Sequence, residues 1–210
     1  TDIEVLAGDH GAFPAGEDHL VLGHEAVGIV ADANDTGLEE GTVVVPTVRR
    51  PRPGVEGGPY IPDQLDMAPM DEVVERGIDG AHGFMAEYFT TPEKYLVPVP
   101  DSLATTGFLV EPISITEKAL EHALAARSAF DWQPESALVL GNGPLGLVTT
   151  AMFATGERFS DVYCLGRRER PDPSIDILAG RGAADAAAQE TPDAAGAGVE
   201  PQPGGGVGME

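Results

Sequence analysis

The 210 residues are 42% hydrophobic, enough to bury a sizeable core in one large domain or two small ones. Asp and Glu number 35 against 12 Lys and Arg, a net charge of −23, and Lys94 and Lys118 are the only lysines. This balance excludes a nucleic-acid face, the apolar runs fall short of the ~20 residues that span a bilayer, and the lone Cys164 excludes an internal disulfide or a thiolate metal site.

The acids are spread along the chain among apolar runs such as Thr42 to Val48, so they do not form a binding tail. They read as the surface of a soluble protein of a salt-accumulating cytoplasm, where carboxylates hold water and molar salt screens their repulsion.

In chain order, short apolar segments separated by Gly and Asp turns come first: His19 to Leu22, Val27 to Val30 and Gly41 to Pro46. This is the rhythm of a small all-β unit. Residues 49 to 70, rich in Pro and Gly, read as a long irregular loop, and strand-like Gly83 to Thr90 and Tyr95 to Val99 come after it. From Glu111 through Ile115, Ala119, Leu120, Ala123 and Leu124 the apolar spacing becomes helical, predicting a helix that links the β unit to the second half of the chain.

The next segment is strand, glycine turn, helix, strand: Ala137 to Leu140, Gly141-Asn142-Gly143-Pro144-Leu145-Gly146, Leu147 to Phe153, then Asp161 to Gly166. This order opens a doubly wound, dinucleotide-binding sheet. Gly141 permits the tight turn, Gly143 lets the backbone approach a pyrophosphate, and Gly146 lets the helix pack closely, so phosphates meet the amide-rich helix N-terminus. After Ile177 the character changes: 20 of residues 178 to 210 are Ala, Gly or Pro. Two strands are credible here, against roughly six in a complete sheet of this kind.

Gly166-Arg167-Arg168-Glu169-Arg170 comes after the second strand, where an NAD site places Asp or Glu on the ribose 2′-hydroxyl. Paired arginines suit a 2′-phosphate, which a guanidinium grips with two parallel hydrogen bonds. NADP is therefore the expected cofactor, with Glu169 leaving NAD open. In the first quarter, His24 and Glu25 within Gly23-His24-Glu25 and Gly28 offer imidazole and carboxylate, suitable donors to a catalytic zinc, with Glu111 as a distant partner. His82 reads as structural, and His10, His19 and His122 receive no role.

Together these stretches resemble the zinc-dependent, NADP-preferring glucose dehydrogenases of the medium-chain dehydrogenase superfamily, above all their halophilic archaeal members. The resemblance rests on Gly23-His24-Glu25-Ala26-Val27-Gly28, Pro46 to Pro51, Glu75-Arg76-Gly77-Ile78 with His82-Gly83, Glu111 to Ala119, Gly141 to Gly146, and Cys164 to Arg168, and runs from Thr1 to about Ile177. It implies an α/β chain: a GroES-like, mostly β catalytic domain over 1–110, a linking helix over 111–134, a partial Rossmann-type NADP domain over 135–177 and a low-complexity tail over 178–210.

By resemblance, His24 and Glu111 are ligands of one catalytic zinc with Glu25 beside it as an alternating ligand, Glu75 and Glu111 hold sugar hydroxyls, and Thr1 contacts the sugar and passes on its proton. Asn142 to Leu145 hold the pyrophosphate, with Arg167, Arg168 and Glu169 at the adenosine ribose. The implied reaction is oxidation of glucose or a similar aldose at C1 to the aldonolactone. Alternatives are another polyol or alcohol dehydrogenase of the superfamily, or an inactive fragment. The family's remaining zinc ligand falls two residues before Thr1, and no structural zinc lobe is expected in residues 49 to 70. A chain truncated at both ends, with a reading-frame change near residue 180, is the expectation, as is a homodimer or homotetramer for the full-length family in a high-salt cytosol.

Overall fold

Contiguous valines decide the first core. In the computed structural model, which describes residues 1–55, 65–130, 133–167, 171–180 and the backbone of 184–185, the chain divides into two units, Thr1–Asp131 and Trp132–Glu210.

In the first unit a short helix α1 (Asp2–Ala7) precedes strands β1 (Gly28–Ile29) and β2 (Val43–Pro46). Every residue of β2 is buried, as expected of a short, continuous apolar run rather than an alternating one. It lies between β1 and β6 (Leu96–Pro98), antiparallel to both, with Val44 opposite Gly28 and Val45 opposite Val97.

A second sheet joins β3 (Arg49–Pro51), β4 (Val73–Arg76) and β5 (Gly80–Ala81). β3 and β4 are antiparallel, and their register sets Arg49 directly opposite Glu75. β4 and β5 run parallel although only residues 77–79 separate them, where parallel partners ordinarily need a crossover of a dozen residues or more. The chain achieves this by curling on Glu75: its amide donates to the Asp79 carbonyl at 2.8 Å, and its carbonyl accepts from the amides of Ile78 at 3.0 Å and Asp79 at 2.8 Å.

Helix α2 (Val110–Arg127) closes the first unit and buries Pro112 and Thr116, one turn apart, while Ile115 stays half exposed. The second unit runs β7 (Ser136–Leu140), α3 (Pro144–Thr155), β8 (Asp161–Leu165), α4 (Pro173–Gly180) and β9 (Ala184–Asp185), with all three strands parallel in the order β7-β8-β9. Val139 and Cys164, partners in register, form its core with Leu178 of α4 and with Leu147, Phe153 and Ala154 of α3. Successive strand residues point to opposite faces, so Leu138 and Leu140 lie exposed on the other side.

Several elements differ from the sequence reading. Residues 19–22 and 83–90 do not form strands: a few irregular bonds join them in place of a ladder, and the second stretch bends where Ala86 N–H donates back to the Phe84 carbonyl. The stretch read as loop contains β3, and neither β4 nor α1 is announced by the sequence pattern. In the second unit, α4 and the two-residue β9 carry the sheet past Ile177. A strand of Ala184 and Asp185 has no apolar run to announce it. Among the described residues, no helix is long and apolar enough to cross a membrane.

Candidate active site

His24 is delivered by a stretch of chain that three close backbone bonds hold in place. Gly83 N–H donates to the Val21 carbonyl at 2.7 Å, Met85 N–H to that of Leu22 at 2.9 Å, and Phe84 N–H to that of Gly23 at 2.8 Å. The approach requires glycine: a Cβ on Gly83 would lie 2.2 Å from the Gly23 carbonyl oxygen and 2.4 Å from that of Leu22.

The imidazole so placed is largely buried, its side chain 13% exposed. With Glu25 and with Glu111, in the first turn of α2, it forms a group of three donors whose ligating atoms lie within 4.8 Å of one another. His24 Nε2 is 4.0 Å from Glu25 Oε1. Its Nδ1 faces Asp2 Oδ1 of α1 at 3.3 Å, and both atoms are buried without a hydrogen bond.

Burial pushes the Glu111 carboxyl above the usual carboxylate range; His24 and Arg49 pull it back, and the negative charges of Glu25 and Glu75 push it further up. One nitrogen and two oxygen donors gathered this closely, with the His24 Nδ1 and Asp2 Oδ1 behind them lacking hydrogen-bond partners, is a donor set that suits Zn2+. The residues therefore fit a divalent metal.

Glu75 is 8% exposed. Arg49 Nε donates to its Oε1 at 2.7 Å across the β3–β4 pair, and Arg49 Nη1 donates to the Asp66 carbonyl at 3.1 Å. Asp66 in turn pairs with Lys118 of α2, whose hydrogen bond and charge hold the Asp66 carboxyl below its usual range. Thr1 sits exposed ahead of α1, its ammonium 3.5 Å from Glu4 Oε2. The described contacts thus bring Asp2, rather than Thr1, against His24. Sequence reasoning passes over Asp2 because nothing local marks it; only the fold brings the two side chains together.

In the second unit, Gly141 at φ 117° turns the chain out of β7, and Pro144 occupies the first turn of α3, where its missing N–H costs nothing. A Cβ on Gly146 would lie 1.8 Å from the Gly141 carbonyl oxygen, so the loop folds back directly on the helix. Around Gly141 and Gly143 a Cβ would meet nothing within 4 Å, leaving the backbone open to a ligand. Asn142 is buried, and its side chain occupies the space a Cβ on Gly166 would fill, tying the loop to the end of β8. Leu145 is exposed, as is Arg167 just beyond β8; Arg168 and Glu169 lie outside the described residues.

The alcohol dehydrogenase GroES-like domain family matches residues 1–101, and the glucose dehydrogenase C-terminus family matches residues 104–202, past the Ile177 at which the motif resemblance ends. Glucose 1-dehydrogenase 1 of Haloterrigena turkmenica is 66% identical over 193 residues, covering 91% of this chain and 53% of that protein. The chain belongs to the glucose dehydrogenase group of the medium-chain dehydrogenases.

Another member, glucose 1-dehydrogenase of Haloferax mediterranei, is 65% identical over 85% of this chain and 50% of its own length. A solved structure of the Haloferax mediterranei glucose dehydrogenase in complex with NADP, Zn and gluconolactone superposes with a TM-score of 0.83 at 63% identity, covering 88% of this chain and 52% of that one. The first unit is accordingly the GroES-like domain of this dehydrogenase group, and the second has its Rossmann-type strand and helix order. The chain spans about half the length of the curated relatives it matches.

Proposed function

We propose that the protein takes part in oxidising D-glucose or a similar aldose at C1 to the aldonolactone, with NADP as the hydride acceptor and NAD as the secondary one. The observation that carries this reading is the grouping of His24, Glu25 and Glu111 beside the charge of Glu75, within a chain about two-thirds identical to glucose 1-dehydrogenases.

In this reading His24, Glu25 and Glu111 hold one Zn2+, and Glu75 and Glu111 accept hydrogen bonds from sugar hydroxyls. The bound metal supplies Lewis-acid polarisation of a sugar oxygen, and the nicotinamide accepts the hydride. The C1 hydroxyl loses its proton and C1 loses a hydride, so that the C1–O bond becomes the lactone carbonyl and NADP+ becomes NADPH. Thr1 passes the proton outward.

Buried carboxylates aimed at chosen hydroxyls reject sugars that lack them, since the acceptor would be left without its partner. Asn142 to Leu145 and the neighbouring glycines, Gly141 to Gly146, hold the pyrophosphate at the start of α3, and Arg167, Arg168 and Glu169 bind the adenosine ribose end. The family's homo-oligomeric assembly and a high-salt cytosol complete the proposal.

The test is glucose-dependent NADP reduction by the purified chain in molar KCl with zinc, against a chelator-treated control. Zinc-dependent turnover supports the reading. Absence of turnover in a sample that demonstrably holds zinc and NADP removes the activity from this chain.

A further inference from the structure

Among the described residues, a second group also brings three metal-type donors together: Glu17, His19 and His82, again within 4.8 Å of one another. Its hydrogen bonds argue against a metal. The Val21 backbone N–H points at His82 Nδ1, with the two nitrogens 3.1 Å apart. An amide N–H only donates, so Nδ1 must accept and the ring hydrogen resides on Nε2. Nε2 lies 2.8 Å from Glu17 Oε2 and donates to that carboxylate. A metal bound at Nε2 would send the ring hydrogen to Nδ1, setting two N–H groups against each other. The His19 ring packs beside that of His82, centroids 4.9 Å apart, and its Nε2 is 3.8 Å from the same Glu17 oxygen.

We infer that His82 is a positioning residue for the metal group: Glu17 fixes its tautomer, and the fixed ring holds the Val21 amide and with it the stretch that ends in His24. His82 supplies a bond that the surrounding backbone does not. Gly83, Phe84 and Met85 engage the carbonyls of residues 21–23, whereas the His82 ring takes the N–H of Val21. His82 is itself held, because Arg76 Nε donates to its carbonyl at 2.6 Å. The inference rests on the proposal that His24 is a metal ligand.

The experiment uses the full chain in molar KCl with 15N-labelled histidine, monitored by NMR during Zn2+ titration. Before metal, His82 shows an unprotonated, pyridine-type Nδ1 and a protonated, pyrrole-type Nε2. Zn2+ then shifts the His24 ring nitrogens and leaves those of His82 unmoved. Co2+ titrations of two variants complete the test. His82→Phe, which cannot accept from Val21, weakens Co2+ binding about 10-fold or more, the scale of losing a residue that orients a metal ligand. His82→Asn, whose amide oxygen can take the Val21 N–H, restores most of the affinity.

A protonated Nδ1, zinc shifts on His82, or Co2+ affinity in His82→Phe equal to that of the unsubstituted chain would each overturn the inference while leaving His24 as a ligand. Zinc that leaves His24 unmoved sinks the metal proposal itself, and the positioning role falls with it.

Discussion

Asp2 Oδ1 lies 3.3 Å from His24 Nδ1, on the side of the ring away from Glu25. No hydrogen bond joins the two atoms in the metal-free chain, and a carboxylate so placed would, on metal binding, accept from a ring hydrogen on Nδ1 and leave Nε2 as the donor to the metal. Asp2→Ala is expected to weaken Zn2+ or Co2+ binding about 10- to 100-fold. Competition against a chelator of known affinity checks this, and an unchanged constant would show that Asp2 does not orient the ring.

Glu111 sets a pH dependence in the metal-free chain. Its folded-state pKa is raised chiefly by burial, so the folded state binds the proton more tightly than the unfolded one. Its contribution to stability is fully present below the unfolded carboxylate pKa and is lost as pH rises through the folded value. Chelator-treated Glu111→Gln, which stays neutral, should therefore gain stability relative to the parent chain as pH climbs through that window. Urea midpoints across pH measure it, and parallel curves for the two proteins would contradict the assignment.

Arg49 and Glu75 form a pair of unequal exposure, 32% and 10% for their side chains. Removing one partner of a buried pair costs about 3–5 kcal/mol. With Arg49 a third exposed, Arg49→Gln should cost less, about 1–3 kcal/mol, since solvent screens the pair. The double variant with Glu75→Gln should recover part of the loss, because no uncompensated carboxylate remains. Additive losses in urea unfolding would show that the two side chains are uncoupled.

Arg167 and Arg168 are expected to discriminate the cofactors. Replacing both with Ala should lower NADP affinity about 10-fold or more, the worth of charge-assisted bonds to a phosphate, and leave NAD affinity nearly constant. Calorimetric titration of the two nucleotides decides the matter. Equal losses for both would move the arginines' role away from the 2′-phosphate.

The net charge of −23 makes salt a structural variable. Lowering KCl from molar to about 10 mM lengthens the screening distance from about 3 Å to about 30 Å, and carboxylate repulsion should then lower the thermal midpoint. A midpoint independent of KCl would show that the acids are already balanced locally.

The second unit was largely legible in the sequence because its information is local: a strand, a glycine turn and a helix lie consecutively from Ser136 to Thr155. His24, Glu25 and Glu111 were likewise nameable, the first two as adjacent residues of donor chemistry and the third through the family pattern. The contacts of Asp2, Arg49 and His82 were not legible, because each depends on a partner brought close by the fold rather than by the chain. Arg49 meets Glu75 through strand register, and His82 meets Val21 across 61 residues. β9 escapes notice for a different reason, since two residues carry too little pattern to identify a strand.

The curl between β4 and β5 bears on how this protein could be re-engineered. Three backbone hydrogen bonds converge on Glu75, so its Cα cannot drift to accommodate a side chain of another length. Glu75→Asp retracts the carboxylate by about 1.5 Å, one carbon–carbon bond, with no slack in the chain to return it. A library that varies side chains here while keeping residues 77–79 would sample reach in discrete steps of one methylene. If Glu75 holds a sugar hydroxyl as proposed, acceptance of sugars with differently placed hydroxyls would then change in jumps, and intermediate selectivities would have to come from other residues of the site.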